Sequence, residues 1–320
     1  MHAYMARRYG GPDTLSIEDV AIPEPDEGAV LVRVHASSVN ALDWHMLRGK
    51  PHVVRVTDGL RAPKEPRIGV DAAGVVEAVG RGVTDLRVGD RVFGARTGAF
   101  AEYVAGRNFV PLPDHLTFEE GAAIPVAGST ALQALRDKAA VRAGQRVLVT
   151  GAGGGVGTFA VQIARALGAT VTASTSPSKA AMVRSIGAEV VLDRTAVDVT
   201  RPADPYDVII DVGSDRRLGD MRHALRPDGT LVIVGAGPGD WIGPLVRVGA
   251  GALRSRFGKQ RFLPFLSQIR RDDIFALQDL LVAGTLRPVI DRTYPFADLP
   301  AAIRHVESGT VAGKVVITVA

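Results

Sequence analysis

The residues with the clearest chemistry lie in a glycine-rich turn. In RVLVTGAGGGVGTFAVQIARALGA, Arg146 to Ala169, an apolar run that reads as a strand enters Gly151-Ala152-Gly153-Gly154-Gly155-Val156-Gly157 and leaves as an amphipathic helix. One frame, Ala152-x-Gly154-x-x-Gly157, puts small residues where a dinucleotide fingerprint needs them. Ala152 is expected to make the tight turn, Gly154 to let backbone approach a pyrophosphate, and Gly157 to let helix and strand pack closely. The N–H groups of Gly155, Val156 and Gly157 then open the helix, and its dipole favours phosphate there. A glycine pattern alone is weak evidence, since a plain Gly-rich turn looks the same. The strand before it, the helix after it and a further strand from Thr170 supply the context that favours dinucleotide binding.

The choice between NAD and NADP is made near the end of that next strand, where a carboxylate would accept both ribose hydroxyls. The chain reads Thr172-Ala173-Ser174-Thr175-Ser176-Pro177-Ser178-Lys179, with Ser174 standing 22 residues after Ala152 and no acid in the stretch. Hydroxyls and a lysine suit a 2′-phosphate, which needs donors and positive charge. Arg194 adds a cation after the third strand. The competing reading makes Ser176 a helix N-cap and Lys179 a surface residue. Both hold together, because a helix start also attracts phosphate, and the expectation is NADPH.

Around these motifs the strands and helices alternate. Candidate strands are Arg146 to Thr150, Thr170 to Thr175, Val190 to Leu192, Asp207 to Val212 and Thr230 to Gly235, with helices near 156–168, 177–187 and 215–226. Runs such as DVIIDV and TLVIVG suit strands buried on both faces, as in a parallel sheet wrapped by helices. Val212 and Gly235 close their strands at the carboxyl edge, where an open α/β sheet meets its ligand. Before residue 110 the pattern is instead short β segments: Leu15 to Val20, Val30 to Ala36, Gly74 to Val79, Arg91 to Gly94 and Phe100 to Val104. Helical spacing starts between Phe118 and Ala140. A helix from Leu299 to Glu307 and a strand from Lys314 to Val319 end the chain, which is expected to leave the β domain, build the nucleotide domain and return. The domains so read are 1–120 with 286–320, and 121–285.

Composition narrows the classes further. The chain has 320 residues, 46% hydrophobic, enough for a sizeable core. Cysteine is absent, which removes disulfides, thiolate nucleophiles and thiolate-ligated metal. No apolar run approaches the roughly 20 residues of a membrane span. The opening MHAYMARRYGG has no apolar targeting core, so a cytoplasmic location is expected. The net charge of +4 arises from 38 basic residues scattered among 34 acidic ones, which does not favour nucleic acid. The densest basic stretch, Arg247, Arg254, Arg256, Lys259, Arg261, Arg270 and Arg271, reads as a solvated helix face.

Taken together, these segments resemble the medium-chain dehydrogenase/reductase superfamily along essentially the whole chain. Its zinc alcohol dehydrogenases carry C-x-x-D-x-H and then G-H-E, and this chain has Asn40-Ala41-Leu42-Asp43-Trp44-His45 and Gly69-Val70-Asp71. Asn40 and Val70 replace both ligand positions, and no four-cysteine lobe is present. The zinc-free quinone oxidoreductase branch is similar in Val39-Asn40-x-x-Asp43, Gly69 to Val76, Gly89 to Gly94, Gly98 to Tyr103 and Gly313 to Val316. The resemblance implies a GroES-like β domain plus a doubly wound Rossmann domain, NADPH, no metal, and a homodimer. It also implies that Thr130 lies near the nicotinamide.

A zinc-free member suits hydride addition to a quinone or an activated C=C better than alcohol chemistry, with the protein mainly positioning the reactants. Asn40 is the first candidate for holding the nicotinamide ribose or an acceptor carbonyl; capping a turn is the equal alternative. Asp43 orients its neighbours or caps a helix beginning at Trp44. His45, beside Trp44, is read as structural. The loop from Arg48 to Arg67 is basic and Pro-interrupted, and it is expected to favour anionic or extended acceptors at the substrate site or to be a variable surface loop. Two alternatives stand beside the quinone or enone reductase: a pathway-specific enoyl reductase, and a nucleotide-responsive RNA-binding relative.

Overall fold

The computed structural model describes residues 1–52, 54–214, 216–235 and 259–319. The chain forms two units, one of Met1–Ser129, Ile269–Gly284 and Pro288–Ala320, the other of Thr130–Gln268 and Thr285–Arg287.

The first unit opens with β1 (His2–Met5) paired to β2 (Ser16–Asp19). Then come β3 (Val30–Val39), α1 (Ala41–Arg48), α2 (Val54–Asp58), β4 (Asp71–Val79) and β5 (Arg91–Ala95). After β6 (Tyr103–Gly106), β7 (Phe109–Pro111) and α3 (Phe118–Ala122), α4 (Pro125–Leu132) carries the chain into the second unit. The expected strand at Phe100 starts later because β1 holds this segment: the Tyr4 N–H donates to the Phe100 carbonyl at 2.9 Å, and Ala3 bridges Ala101.

The second unit alternates β8 (Arg146–Thr150), α5 (Gly155–Ala166), β9 (Thr170–Thr175), α6 (Ala180–Ser185), β10 (Val190–Asp193) and β11 (Tyr206–Val212). It continues with α7 (Leu218–Met221), β12 (Leu225–Val234) and β13 (Arg261–Phe265). These strands form one parallel sheet in the order β10-β9-β8-β11-β12-β13. That is a doubly wound Rossmann sheet, and the order reverses between β8 and β11. Val147, Leu148, Ile209 and Ile210 are fully buried, as continuous apolar strands covered on both faces must be.

Three details differ from the expectation. The helix read near 215–226 is the short α7 with a 3₁₀ turn over Arg222–Ala224, and β12 begins at Leu225. Arg261 opens a strand rather than continuing a basic helix face, while Arg247, Arg254 and Arg256 lie outside the described residues. Residues 121–129 and 269–284 belong to the first unit, against the domain boundaries 121 and 285. The reason is α8 (Arg271–Val282), whose buried Ile274, Leu277 and Leu281 form an apolar face. Leu277 packs against Gly128, and the Arg271 guanidinium donates to the Phe109 carbonyl at 2.9 Å and to Asp85 at 2.6 Å.

The chain then completes the first sheet with β14 (Ile290–Pro295), α9 (Leu299–Glu307) and β15 (Lys314–Thr318). β15 pairs antiparallel with β3 and parallel with β14, giving a sheet β14-β15-β3-β4-β5-β7 to which β6 adds on β3. Beneath it Val39, Leu47, Phe100, Leu299, Ile303 and Ile317 build an apolar core. No described helix is long and apolar enough to cross a membrane.

Candidate active site

The glycine turn occupies Gly151 to Gly154, between the end of β8 and the start of α5. Gly151, not Ala152, makes the tight turn: its φ is +60°, and a Cβ there would lie 2.5 Å from the Val212 carbonyl oxygen. Ala152 is buried and its N–H donates to the Ser174 carbonyl at 3.2 Å, tying the turn to β9. Gly154 is the N-cap of α5; among the described residues a Cβ there would meet only the Gly151 carbonyl, at 3.4 Å. Gly157 packs as the fingerprint requires, since a Cβ would press on the Gly151 carbonyl and come within 2.7 Å of Ala152 Cα. The first bond into α5 runs from the Thr158 N–H to the Gly154 carbonyl, so the N–H groups of Gly155, Val156 and Gly157 sit at a helix end without a side-chain cap. Such a cradle fits a pyrophosphate.

Beside it, the carboxyl ends of β8, β9, β10 and β11 surround a cavity of about 830 Å³. Ser174, Arg194 and Val212 come together on its walls with Thr150, and with Arg216 and Arg217 beyond β11. Among the described residues its walls carry three guanidinium groups and one carboxylate, Asp220. Arg216 also donates to Asp198 at 3.2 Å. The Asp193 carboxylate accepts from the Thr195 hydroxyl at 2.7 Å and the Thr195 N–H at 2.8 Å, and these bonds hold it below the usual range. The Lys179 stem covers Gly153, where a Cβ would meet Lys179 Cδ at 2.7 Å. Ser176 stands at the N-cap of a Pro177–Lys179 3₁₀ turn, its hydroxyl 3.3 Å from that of Ser178. Thr130 and Gly235 are not on these walls: Thr130 is buried and donates to the Ser267 hydroxyl at 2.8 Å, and Gly235 is an exposed turn with φ +93°.

In the first unit Asn40 is the N-cap of α1, which starts three residues before Trp44; Asp43 is the third helical residue and caps the helix by closing its capping box, accepting the Asn40 N–H at 2.7 Å. The Asn40 amide is engaged at both ends. Its Nδ2 donates to Asp71 at 2.8 Å, and its Oδ1 accepts from the Lys314 ammonium at 2.5 Å. Lys314 also donates to the Val39 carbonyl at 3.3 Å and lies 3.4 Å from Asp71, so each of its three protons has an acceptor. Asp71 accepts further bonds from the Ser38 hydroxyl at 2.7 Å and the Val126 N–H at 2.8 Å. Asp71 is 0% and Lys314 3% exposed, which makes this a dry, satisfied ion pair built by three adjacent strands. Burial, with the Asp71 carboxylate behind it, pushes Asp43 up to about 7 against the pull of the Asn40 N–H and Lys314. His45 stacks on Trp44 with ring centroids 3.6 Å apart, and its Nδ1 lies 3.0 Å from the Lys50 carbonyl.

Asp43 also lines a cavity of about 340 Å³ with Leu42, Met46, Leu47, Ile68 and Val70. The loop from Arg48 to Arg67 supplies one wall. Asp71, Lys314, Arg216, Arg217 and this loop's acids were not singled out from the sequence. Two adjacent arginines just beyond a strand's carboxyl end were a usable signal, by the same rule that singled out Val212. The charged residues in DAAGVV and GKVVIT carried none, because a charge inside an apolar strand declares its partner only after the strands pair.

Residues 26–114 match the family described as alcohol dehydrogenase GroES-like domain, and residues 186–317 the family described as zinc-binding dehydrogenase. A quinone oxidoreductase of Lama guanicoe is 35% identical over 99% of this chain and 97% of its own length. The chain belongs to the medium-chain dehydrogenase/reductase superfamily. Within it the match is to the zinc-free quinone oxidoreductase branch. The structure of the quinone oxidoreductase from Coxiella burnetii superposes with a TM-score of 0.87 at 28% identity, covering 100% of this chain and 99% of that one. A 2-methylene-furan-3-one reductase of Solanum lycopersicum is 32% identical over 99% of this chain and 79% of its own length. In this superfamily the first unit is the GroES-like domain, the second is the Rossmann-like domain, and the protein is an oxidoreductase using NAD(P).

Proposed function

We propose that this protein is an NADPH-dependent reductase that delivers hydride to a quinone or to an activated C=C, without zinc. The observation that carries the cofactor choice is the cation-rich cavity at the ends of β9, β10 and β11, where Ser174 replaces a ribose-binding carboxylate and Arg194, Arg216 and Arg217 line the walls. The Lys179 stem passes over Gly153, beside the glycine turn. A 2′-phosphate offers these groups charge-assisted bonds that a ribose hydroxyl does not.

When bound, the nicotinamide supplies the hydride; the chain supplies position and exclusion of water. Gly151 to Gly157 would hold the pyrophosphate, and the carboxyl ends of the central strands the adenosine half. Thr130 is assigned to the nicotinamide half only by the family resemblance, and Gly235 to the cofactor only by its place at the carboxyl end of its strand. Asn40, fixed by Asp71 and Lys314, acts as a positioning residue at the start of α1, and Asp43 stands between that cluster and the acceptor cavity. Zinc independence is supported by chemistry at the two ligand positions. Val70 offers no donor, and Asn40 already accepts from an ammonium 2.5 Å away, which repels a second cation. The acceptor classes follow the activities named for the similar proteins, quinone and enone reduction, and a homodimer is the assembly expected.

The test is NADPH and NADH oxidation at 340 nm against quinones, enones and enoyl thioesters, with and without EDTA. Turnover with NADPH that ignores EDTA supports the proposal. Preference for NADH refutes the cofactor reading, EDTA inhibition reversed by zinc refutes the metal reading, and tight NADPH binding without turnover replaces the enzyme with a nucleotide-binding protein.

A further inference from the structure

Asp211 is a buried acid that the proposed chemistry leaves unused. It lies on β11, is 0% exposed, and stands in register with Thr150, the last residue of β8. The Thr150 hydroxyl donates to Asp211 Oδ1 at 2.8 Å and accepts from the Val212 N–H at 3.1 Å. With its proton committed to Asp211, the hydroxyl oxygen keeps its lone pairs for Val212.

This linkage stands where the two strands part. β8 pairs with β11 from Val147 to Thr150, opposite Val208 to Asp211, and then turns away at Gly151, whose φ is +60°. Val212 therefore has no β8 residue opposite it, although it still pairs with Val234 on β12. The Thr150 side chain takes the place of the missing strand and satisfies the N–H that the turn would orphan. β11 thus runs one residue beyond β8, with the Val212 carbonyl oxygen 2.5 Å from where a Gly151 Cβ would stand. Two parts of the nucleotide site meet at that contact. Gly151 opens the glycine turn that leads into α5, while Val212 and Gly213 line the 830 Å³ cavity. The strand order also reverses here, which is where a doubly wound sheet takes its ligand.

We propose that Asp211 is a positioning residue for the cofactor: through the Thr150 hydroxyl it registers the glycine turn against the Val212–Gly213 wall, so that one dinucleotide meets both. The inference rests on reading the turn as the pyrophosphate cradle and the cavity as the adenosine site. A ligand that spans both parts needs their separation fixed in advance, whereas a ligand that occupies only the wall does not.

The experiment titrates NADPH, NADH and adenosine 2′-monophosphate into the full-length protein and its variants by calorimetry, at a temperature where melting curves show each protein folded. Thr150→Val keeps the side-chain volume and removes the hydroxyl. It is expected to raise the Kd for NADPH and NADH alike, by roughly tenfold, and to leave that for adenosine 2′-monophosphate within about twofold. Asp211→Ala, which keeps Thr150 and removes its acceptor, is expected to repeat this pattern. Thr150→Ser restores the hydroxyl, and Asp211→Asn still offers it an oxygen, so both are expected to bind the dinucleotides nearly as the wild type does. Unchanged dinucleotide affinity in Thr150→Val and Asp211→Ala overturns the inference and leaves the cofactor reading intact. An equal loss for the monophosphate marks general damage to the unit and overturns it as well, as does a Thr150→Ser protein no better than Thr150→Val. A wild-type protein that binds none of the three nucleotides overturns the cofactor reading itself.

Discussion

Lys314→Met removes one side of a buried ion pair and so isolates what that pair contributes. Lys314 is 3% and Asp71 0% exposed, and the four groups on Asp71 include the ammonium as its one full positive charge. Methionine matches the lysine stem in length but leaves Asp71 buried and uncompensated, which costs about 3–5 kcal/mol. Asp71→Asn makes the converse error, stranding the ammonium with neutral acceptors, at a similar cost. For a unit of this size the loss is roughly 8–13 °C in the transition of the first unit. In the double variant neither charge remains, so the combined loss should fall short of the sum of the single losses by at least about 1 kcal/mol. The assay is differential scanning calorimetry of the wild type, both single variants and the double variant, at one pH and one salt concentration. Strict additivity, or a Lys314→Met protein that melts with the wild type, would refute the claim that these charges are dry and mutually dependent.

Gly157→Ala forces a Cβ onto the Gly151 carbonyl and to 2.7 Å from Ala152 Cα; a loss of about 1–3 kcal/mol is expected from overpacking. Quenching of protein fluorescence by NADPH should weaken by more than tenfold, and unchanged affinity would exclude the turn as the phosphate cradle. Arg217→Ala and Lys179→Ala should each raise the Kd for NADPH by roughly tenfold while leaving NADH within about twofold; equal effects on both cofactors would remove the 2′-phosphate assignment. Asp43 holds its proton up to about pH 7 in the folded chain, against an ordinary value of 3.8. Its contribution to stability is therefore greatest below about pH 4 and is lost as pH rises through 7. Asp43→Asn should accordingly melt less steeply than the wild type as pH is raised from 5 to 8, and parallel Tm profiles would show that Asp43 does not titrate there.

The Rossmann unit was legible because its signals are local. A strand, a glycine turn and a helix follow one another within Arg146 to Ala166, and β8 and β9 run over the residues their composition indicates. Local pattern misassigned the turn residue, because Gly151 or Ala152 can be chosen only once the Val212 carbonyl is known to lie 2.5 Å from a Cβ at 151. It also placed residues 271–282 in the second unit, since Gly128, against which Leu277 packs, and the Phe109 carbonyl, which holds Arg271, are more than a hundred positions away in the chain.

By itself, then, the order of residues determined a β-rich unit interrupted by a parallel nucleotide unit, a strand–glycine turn–helix at 146–166 and the replacement of both zinc-ligand residue types. Only tertiary structure decided that Asn40 is held between Asp71 and Lys314, which lie 243 positions apart. The physical reason is that backbone preference and apolar periodicity act between near neighbours along the chain. Charge pairing depends on which distant side chains share a small, dry volume, and that is set only when the strands register against one another.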